Sequence, residues 1–114
     1  MESQRVKISG TVLFKTSGTL EVPNVPGVYL IHDLRGVGYI GKSEKLRDRL
    51  EYHLRHSWNP QLSAFTRTAV GPLQFSWIVS EDGPKLEKTL VRVLEPRANR
   101  VRYVRHEHAS IAID

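Results

Sequence analysis

The sequence predicts an α+β domain: a small central three-stranded antiparallel sheet, made of a β-hairpin plus a third strand, flanked by helices and preceded by an extra N-terminal strand. Three observations carry that prediction. Short β-branched and aromatic runs are separated by turn residues. Two longer segments repeat their apolar residues at helical spacing. The 114 residues, 39% hydrophobic and 25% charged, suffice for one compact core and leave little room for a second.

Val6 to Phe14 is extended and rich in β-branched residues, and Thr16-Ser17-Gly18 closes it, so an edge strand is expected there. Pro23 and Pro26 break the chain before Gly27. Val28 to His32 forms the next strand, with Val28 and Leu30 on one face and Tyr29 and Ile31 on the other. Asp33 to Gly36 turns it and Val37 to Ile40 returns, giving a hairpin with one tyrosine on each arm. Ser43 is placed to cap a helix from about Glu44 to His56 with the ridge Leu46, Leu50, Leu54. Residues 57–72 read as loop with one short helical turn near Ala64. Leu73 to Ser80 is the third strand, and Glu81-Asp82-Gly83 leads into Pro84 at the first turn of a second helix. That helix is expected to stop at Glu95, because Pro96 disfavours helical geometry in the residue before it. The expected organisation is an extension over 1–26, a core over 27–100 and a basic tail over 101–114.

The formal charge of +5, with Arg92, Arg97, Arg100, Arg102 and Arg105 set against Glu95 alone in their segment, fits a polyanionic partner or a merely basic surface. The absence of cysteine excludes disulfides, thiolate metal sites and cysteine nucleophiles. No apolar run approaches the roughly 20 residues that span a bilayer, and MESQRVK lacks a signal-peptide apolar core, so a soluble cytoplasmic protein without membrane contact is expected.

Helical wheels at roughly 100° per residue sharpen this. On the first helix Glu44, Asp48 and Glu51 cluster opposite the leucine ridge, while Arg49 and His53 lie on the shoulder of that ridge, away from the acids. On the second helix Leu90, Val91, Val93 and Leu94 share an arc with Leu86, and Glu87 is the one charge inside it. A carboxylate on a core-facing stripe costs several kcal/mol unless it is paired, hydrogen-bonded or bound to metal. Two explanations stand: an ion pair with an arginine such as Arg49, or a divalent-metal site with one carboxylate ligand, which suits Mg²⁺.

Gly27-Val28-Tyr29 followed by Gly38-Tyr39-Ile40-Gly41 resembles the paired signature of the GIY-YIG nucleases, with Val28 in place of the first isoleucine. Arg49, ten residues after Tyr39, and His53, four after Arg49, match the helix spacing of the family's homing and restriction endonucleases. Glu87, then Pro96 and Asn99, is similar to its metal-binding glutamate and later Pro-x-x-Asn. The resemblance covers about residues 27–99. The hairpin is slightly short for the family, and the stretch before Gly27 is not required by it, so it is taken as an added strand or a substrate contact.

The resemblance implies a metal-dependent endonuclease acting on DNA, with RNA the lesser candidate substrate, and the alternative is a nucleic-acid-binding module that keeps the fold without cutting. Glu87 would hold one Mg²⁺, with Mn²⁺ as substitute, against the scissile phosphate and leaving 3′ oxygen. Arg49 would donate to phosphoryl oxygens. Tyr29 would be the general base, its acidity raised by Lys42, Arg49 and the metal. Tyr39 would orient water or phosphate, and His53 would bond a tyrosine or the phosphate. Gly41, Lys42, Arg97 and Arg100 would lie on the substrate side with Asn99, which would brace Glu87 or the hairpin. Trp58, Trp77, Phe65 and Phe75 are candidates for base stacking, with core packing the simpler reading, and His106 and His108 are candidates for metal, with a solvated tail the simpler one. Base-reading units are not evident, so specificity would come from the loop over 57–72, the tail, DNA shape, a homodimer or an accessory protein.

Overall fold

The computed structural model describes residues 2–55, 59–96, 98–99 and 109–113. Among these the chain order is β1 (Glu2–Val6), β2 (Gly10–Leu13), a 3-10 helix (Thr16–Glu21), β3 (Gly27–Asp33), β4 (Gly36–Ser43), α1 (Leu46–Arg55), α2 (Pro60–Arg67), β5 (Gln74–Val79), α3 (Gly83–Leu94) and β6 (Ala109–Ile113).

The central sheet has four strands, in the order β2-β5-β3-β4 with every pair antiparallel, and not the expected three. The fourth is the N-terminal strand itself. It covers the edge that β5 would otherwise expose, setting Thr11 opposite Ser76, where the two hydroxyls bond at 2.7 Å. Of the extended segment expected from Val6 to Phe14, β2 takes Gly10–Leu13, while a strand that was not expected, β1, precedes it and pairs in parallel with β6. The expected turn at Thr16-Ser17-Gly18 opens the 3-10 helix instead.

Residues 27–31 of β3 are all buried, because both faces of the sheet are covered. On one face Tyr29, Ile31, Phe75 and Trp77 pack with Leu46 and Leu50 of α1 and Leu62 and Phe65 of α2. On the other Val28, Leu30, Ile40 and Ile78 pack with Leu90 and Val91 of α3. Phe65, Phe75 and Trp77 are thus core residues.

The helix starts are set by residues outside the helices' own first turns. Helix α1 begins at Leu46, because Ser43 folds onto its own neighbour, accepting from Lys45 N at 3.0 Å and donating to Lys45 O at 2.9 Å. The cap comes instead from the preceding loop, with Leu46 N donating to Val25 O and Asp48 N to Asn24 Oδ1. In the stretch expected to be loop, Asn59 Oδ1 caps α2 through Gln61 N and Leu62 N, with Pro60 at its first position. Helix α3 ends one residue before Glu95, which turns left-handed (φ 47°) ahead of Pro96. Among the described residues, no helix is long and apolar enough to cross a membrane.

Candidate active site

The hairpin register builds the centre. Antiparallel pairing sets Tyr29 opposite Gly41 and Ile31 opposite Tyr39, so both tyrosines rise from the α1 face of the sheet, diagonal to each other. Their ring centroids are 6.1 Å apart. Tyr29 is 1% exposed and stacks on Phe75 at 5.2 Å. A side chain at Gly41 would overlap the Tyr29 hydroxyl, so the second glycine of the signature is the floor on which that ring lies.

Helix α1 supplies the partner. His53 Nε2 and the Tyr29 hydroxyl share a hydrogen bond of 2.7 Å, and the imidazole also lies 5.6 Å from Tyr39, edge to face. Burial, helped by the charge of Arg49, pushes the imidazole pKa down to about 4, so His53 is neutral at pH 7. Its Nδ1 is buried with no partner among the described residues. The expected increase in Tyr29 acidity does not come from the protein's own charges. Arg49 does pull that way, but burial and then Tyr39 outweigh it, and the hydroxyl is held well above the usual tyrosine range.

The open end of the hairpin meets the starts of α1 and α3 at a cleft of about 210 Å³, lined by Gly27, Lys42, Arg49 and Gly83 among others. Lys42 and Arg49 are exposed cations there. Glu87, one turn into α3, is half-buried. Burial pushes its carboxyl pKa up, opposed by the charge of Lys42. It has no ion pair or hydrogen bond with any described residue, so the expected alternative of a pair with Arg49 is not seen. Lys42 and Glu87 belong to the α3 side of β4, while the tyrosines and His53 belong to the α1 side. Among the described residues no hydrogen bond, ring contact or ion pair joins the two groups; they lie on opposite faces of β4, the outer strand.

Asn99 completes that edge. Its Oδ1 accepts from Ile40 N at 2.9 Å and its Nδ2 donates to Ile40 O at 2.7 Å, while Ala98 N donates to Gly38 O at 2.7 Å. Of the two braces expected of Asn99, the contact is with the hairpin: it satisfies the outward backbone of the residue between Tyr39 and Gly41. Arg97, Arg100, Trp58, His106 and His108 lie outside the described residues.

Among the described residues no three His, Asp or Glu side chains converge as a metal cage. A cation held by Glu87 would rest on one carboxylate, water and substrate oxygens, a donor set that suits Mg²⁺, and Glu87, without a pairing partner among the described residues, fits it. Sequence reasoning passed over Tyr52, which is 37% exposed, three residues after Arg49, with the guanidinium 5.6 Å from its ring centroid. The i, i+3 spacing was the signal.

A family profile described as "UvrC-like GIY-YIG domain" matches residues 25–100. The chain is 34% identical over 86 residues to UvrABC system protein C of Saccharopolyspora erythraea, covering 72% of this chain and 12% of that protein. It is 30% identical over 82 residues to UvrABC system protein C of Moorella thermoacetica, covering 68% of this chain and 13% of that protein. It therefore spans only a small fraction of these curated relatives. Among solved structures it is similar to the GIY-YIG N-terminal endonuclease domain of UvrC from Thermotoga maritima bound to its catalytic divalent cation, magnesium. That likeness has 26% identity and a TM-score of 0.58, covering 73% of this chain and 92% of that one. A point variant of the same domain gives a TM-score of 0.61 at 24% identity, covering 75% and 93%. With the tyrosine pair, Arg49 and His53 of α1 and Glu87 in the order the signature requires, the chain belongs to the GIY-YIG nuclease superfamily as a UvrC-like GIY-YIG domain.

Proposed function

We propose that residues 27–100 form a nuclease core that hydrolyses DNA phosphodiester bonds with one divalent cation, Mg²⁺ or in its place Mn²⁺, held by Glu87. The observation that carries this is Glu87 itself: a half-buried carboxylate without a described pairing partner, within the charge field of Lys42, which also lines the cleft with Arg49. Pure phosphate binding has no use for such a group, because it repels the ligand.

When bound, the cation supplies Lewis-acid neutralisation of charge on the scissile phosphate and the leaving oxygen. Arg49 donates to the phosphoryl oxygens, and Lys42 holds the neighbouring charge. Tyr29, kept neutral by burial, acts as a relay and not as a preformed phenolate: its oxygen accepts the proton of the attacking water while its own proton passes along the 2.7 Å bond to His53 Nε2. Phosphate charge beside Arg49 offsets the smaller of the two causes that lower the His53 pKa, burial being the larger, so the imidazole gains some basicity as substrate arrives. Tyr39 orients water or phosphate, and Asn99 and Gly41 hold the hairpin arm in place.

Residues 1–26 are proposed as an extension that caps α1 and widens the sheet, and 101–114, with Arg97 and Arg100, as a basic flank for DNA. The curated relatives are named as components of a UvrABC system, and partners of that kind are proposed for the protein to which this domain belongs. Its setting is proposed to be the cytoplasm.

The test is supercoiled, branched and single-stranded DNA incubated in Mg²⁺ against chelator. Wild type should nick in Mg²⁺ alone, and Glu87→Gln and Tyr29→Phe should each lose about 100-fold or more in rate while still binding DNA. Equal cutting by wild type and Glu87→Gln would remove the assignment. Binding without any cutting would leave a DNA-binding module.

A further inference from the structure

Helix α1 does not begin by itself. Its first i→i−4 bond runs from Arg49 N to Lys45 O at 3.1 Å, so the amides before Arg49 have no partner inside the helix. A loop upstream serves this turn. Leu46 N donates to Val25 O at 3.1 Å and Asp48 N to Asn24 Oδ1 at 3.2 Å, and the Asp48 carboxylate returns the contact by accepting from Asn24 Nδ2 at 3.2 Å. Arg47 Nε donates to Val22 O at 2.9 Å, and the Val22 side chain is fully buried in the cluster that holds Leu46 and Leu50. Three successive residues of the first turn are thus tied to residues 22–25. The span that matches the family profile begins at residue 25, so Val22 and Asn24 lie before it.

The next residue in that turn is Arg49. It has no ion pair with a described acid, so its exposed side chain is aimed chiefly by the backbone that carries it. Its charge acts on both the Tyr29 hydroxyl and the His53 imidazole. A first turn that frays takes Arg49 with it, whereas His53 lies one turn further on and keeps its bond to Tyr29. The same loop runs straight on into β3, with Gly27 three residues after Asn24, so one short segment links the start of α1 to the strand that carries Tyr29. We propose that Asn24 is a positioning residue: through Asp48 it holds the first turn of α1 in register with the hairpin, and so keeps the Arg49 guanidinium at the pair formed by Tyr29 and His53. Its effect on cutting rests on the nuclease reading; its effect on the geometry of the centre does not.

The competing role for Asn24 is that of a helix cap alone, whose loss lowers stability and leaves each folded molecule unchanged. A double-mutant cycle separates the two. The His53 imidazole is titrated by NMR, and plasmid nicking in Mg²⁺ is measured, for wild type, Asn24→Ala, Arg49→Ala and the double variant, all well below their melting temperatures. In Asn24→Ala the His53 pKa should rise from about 4 toward its ordinary 6.5 as the Arg49 charge is drawn away, and nicking should fall about fivefold. With Arg49→Ala already in place, adding Asn24→Ala should change neither readout. Combining Asn24→Asp with Asp48→Asn restores both bonds with the two side chains exchanged, and should return the wild-type titration. An unmoved His53 titration in Asn24→Ala overturns the proposal. So does an effect of Asn24→Ala that is as large without Arg49 as with it, or an exchange of side chains that fails to restore the titration. A protein that never nicks yet shows the expected titration cycle loses the nuclease reading and keeps the positioning role of Asn24.

Discussion

The two ends of the β3–β4 hairpin treat a carboxylate in opposite ways. At the turn, buried Asp33 accepts from Arg35 N (2.8 Å), Nε (3.0 Å) and Nη2 (2.7 Å) and from Val70 N (2.9 Å). Arg35 holds its pKa down at about 2, against the effect of burial. The same guanidinium donates to Phe65 O and lies 4.0 Å from the Phe65 ring centroid, tying α2 to the turn. At the open end, Glu87 on α3 meets Lys42 through charge alone, without a hydrogen bond to a described residue, and its pKa is pushed up. One carboxylate is satisfied within the fold and the other has no such partner among the described residues. A polypeptide that can satisfy Asp33 four times over leaves Glu87 without a described partner, which is the contrast that the proposed cation role of Glu87 accounts for.

The largest test of the contrast is Asp33→Ala. It leaves Arg35 partly buried without its counter-charge and Val70 N without an acceptor, and should cost about 3 kcal/mol of stability in urea unfolding. Activity per folded molecule should be unchanged well below the new midpoint. A loss of cutting without a loss of stability would break the division between the two ends.

Acid separates the ends next. The folded-state pKa of His53 is lowered from 6.5 to about 4, so as pH falls through that window the unfolded chain binds a proton that the folded chain refuses, and stability declines. Asp33 is lowered from 3.8 to about 2, so its contribution is intact above 3.8 and is lost as pH falls toward 2. Unfolding free energy against pH should show both steps, the first worth no more than about 2 kcal/mol given the partial exposure of His53. His53→Gln should erase the first step alone, and Asp33→Asn the second alone. A His53→Gln profile with the pH 4 to 6.5 slope intact would place that titration elsewhere.

Much of this was legible in the chain. Alternation at Val28, Tyr29, Leu30 and Ile31 assigned the two faces correctly, because a strand has no other way to place successive side chains. The wheel isolated Glu87 because a charge within an apolar arc has few explanations. What failed were features decided by distant segments. Ser43 is a sound local cap, but Asn24 and Val25, some twenty residues upstream, reach the α1 amides first. Strand β6 had no pattern of its own and is specified by pairing with β1. Arg49 pulls the Tyr29 pKa down as its spacing implies, but burial at the junction of β3, α1 and β5 outweighs that pull, a quantity no local sequence window contains. The Asn59-Pro60 start of α2 was different: that signal was local and was simply underweighted.

The smallest effect is the most telling about Glu87. A carboxylate whose folded pKa lies above its unfolded value costs stability at every pH where the unfolded chain ionises it, and the cost vanishes in acid, where both states are protonated. Glu87→Gln removes that charge with little change in shape. In chelator at pH 7 the variant should therefore melt at the wild-type temperature or slightly above it, a gain of at most about 1 kcal/mol, and the gain should disappear below pH 4. Mg²⁺ should reverse the order. A tenfold excess over its Kd adds about 1.4 kcal/mol to wild type and nothing to the variant. A variant less stable than wild type in chelator would mean that Glu87, like Asp33, is already satisfied within the fold. The two ends of the hairpin would then differ in degree only, and the reason for assigning a cation to the open end would be gone.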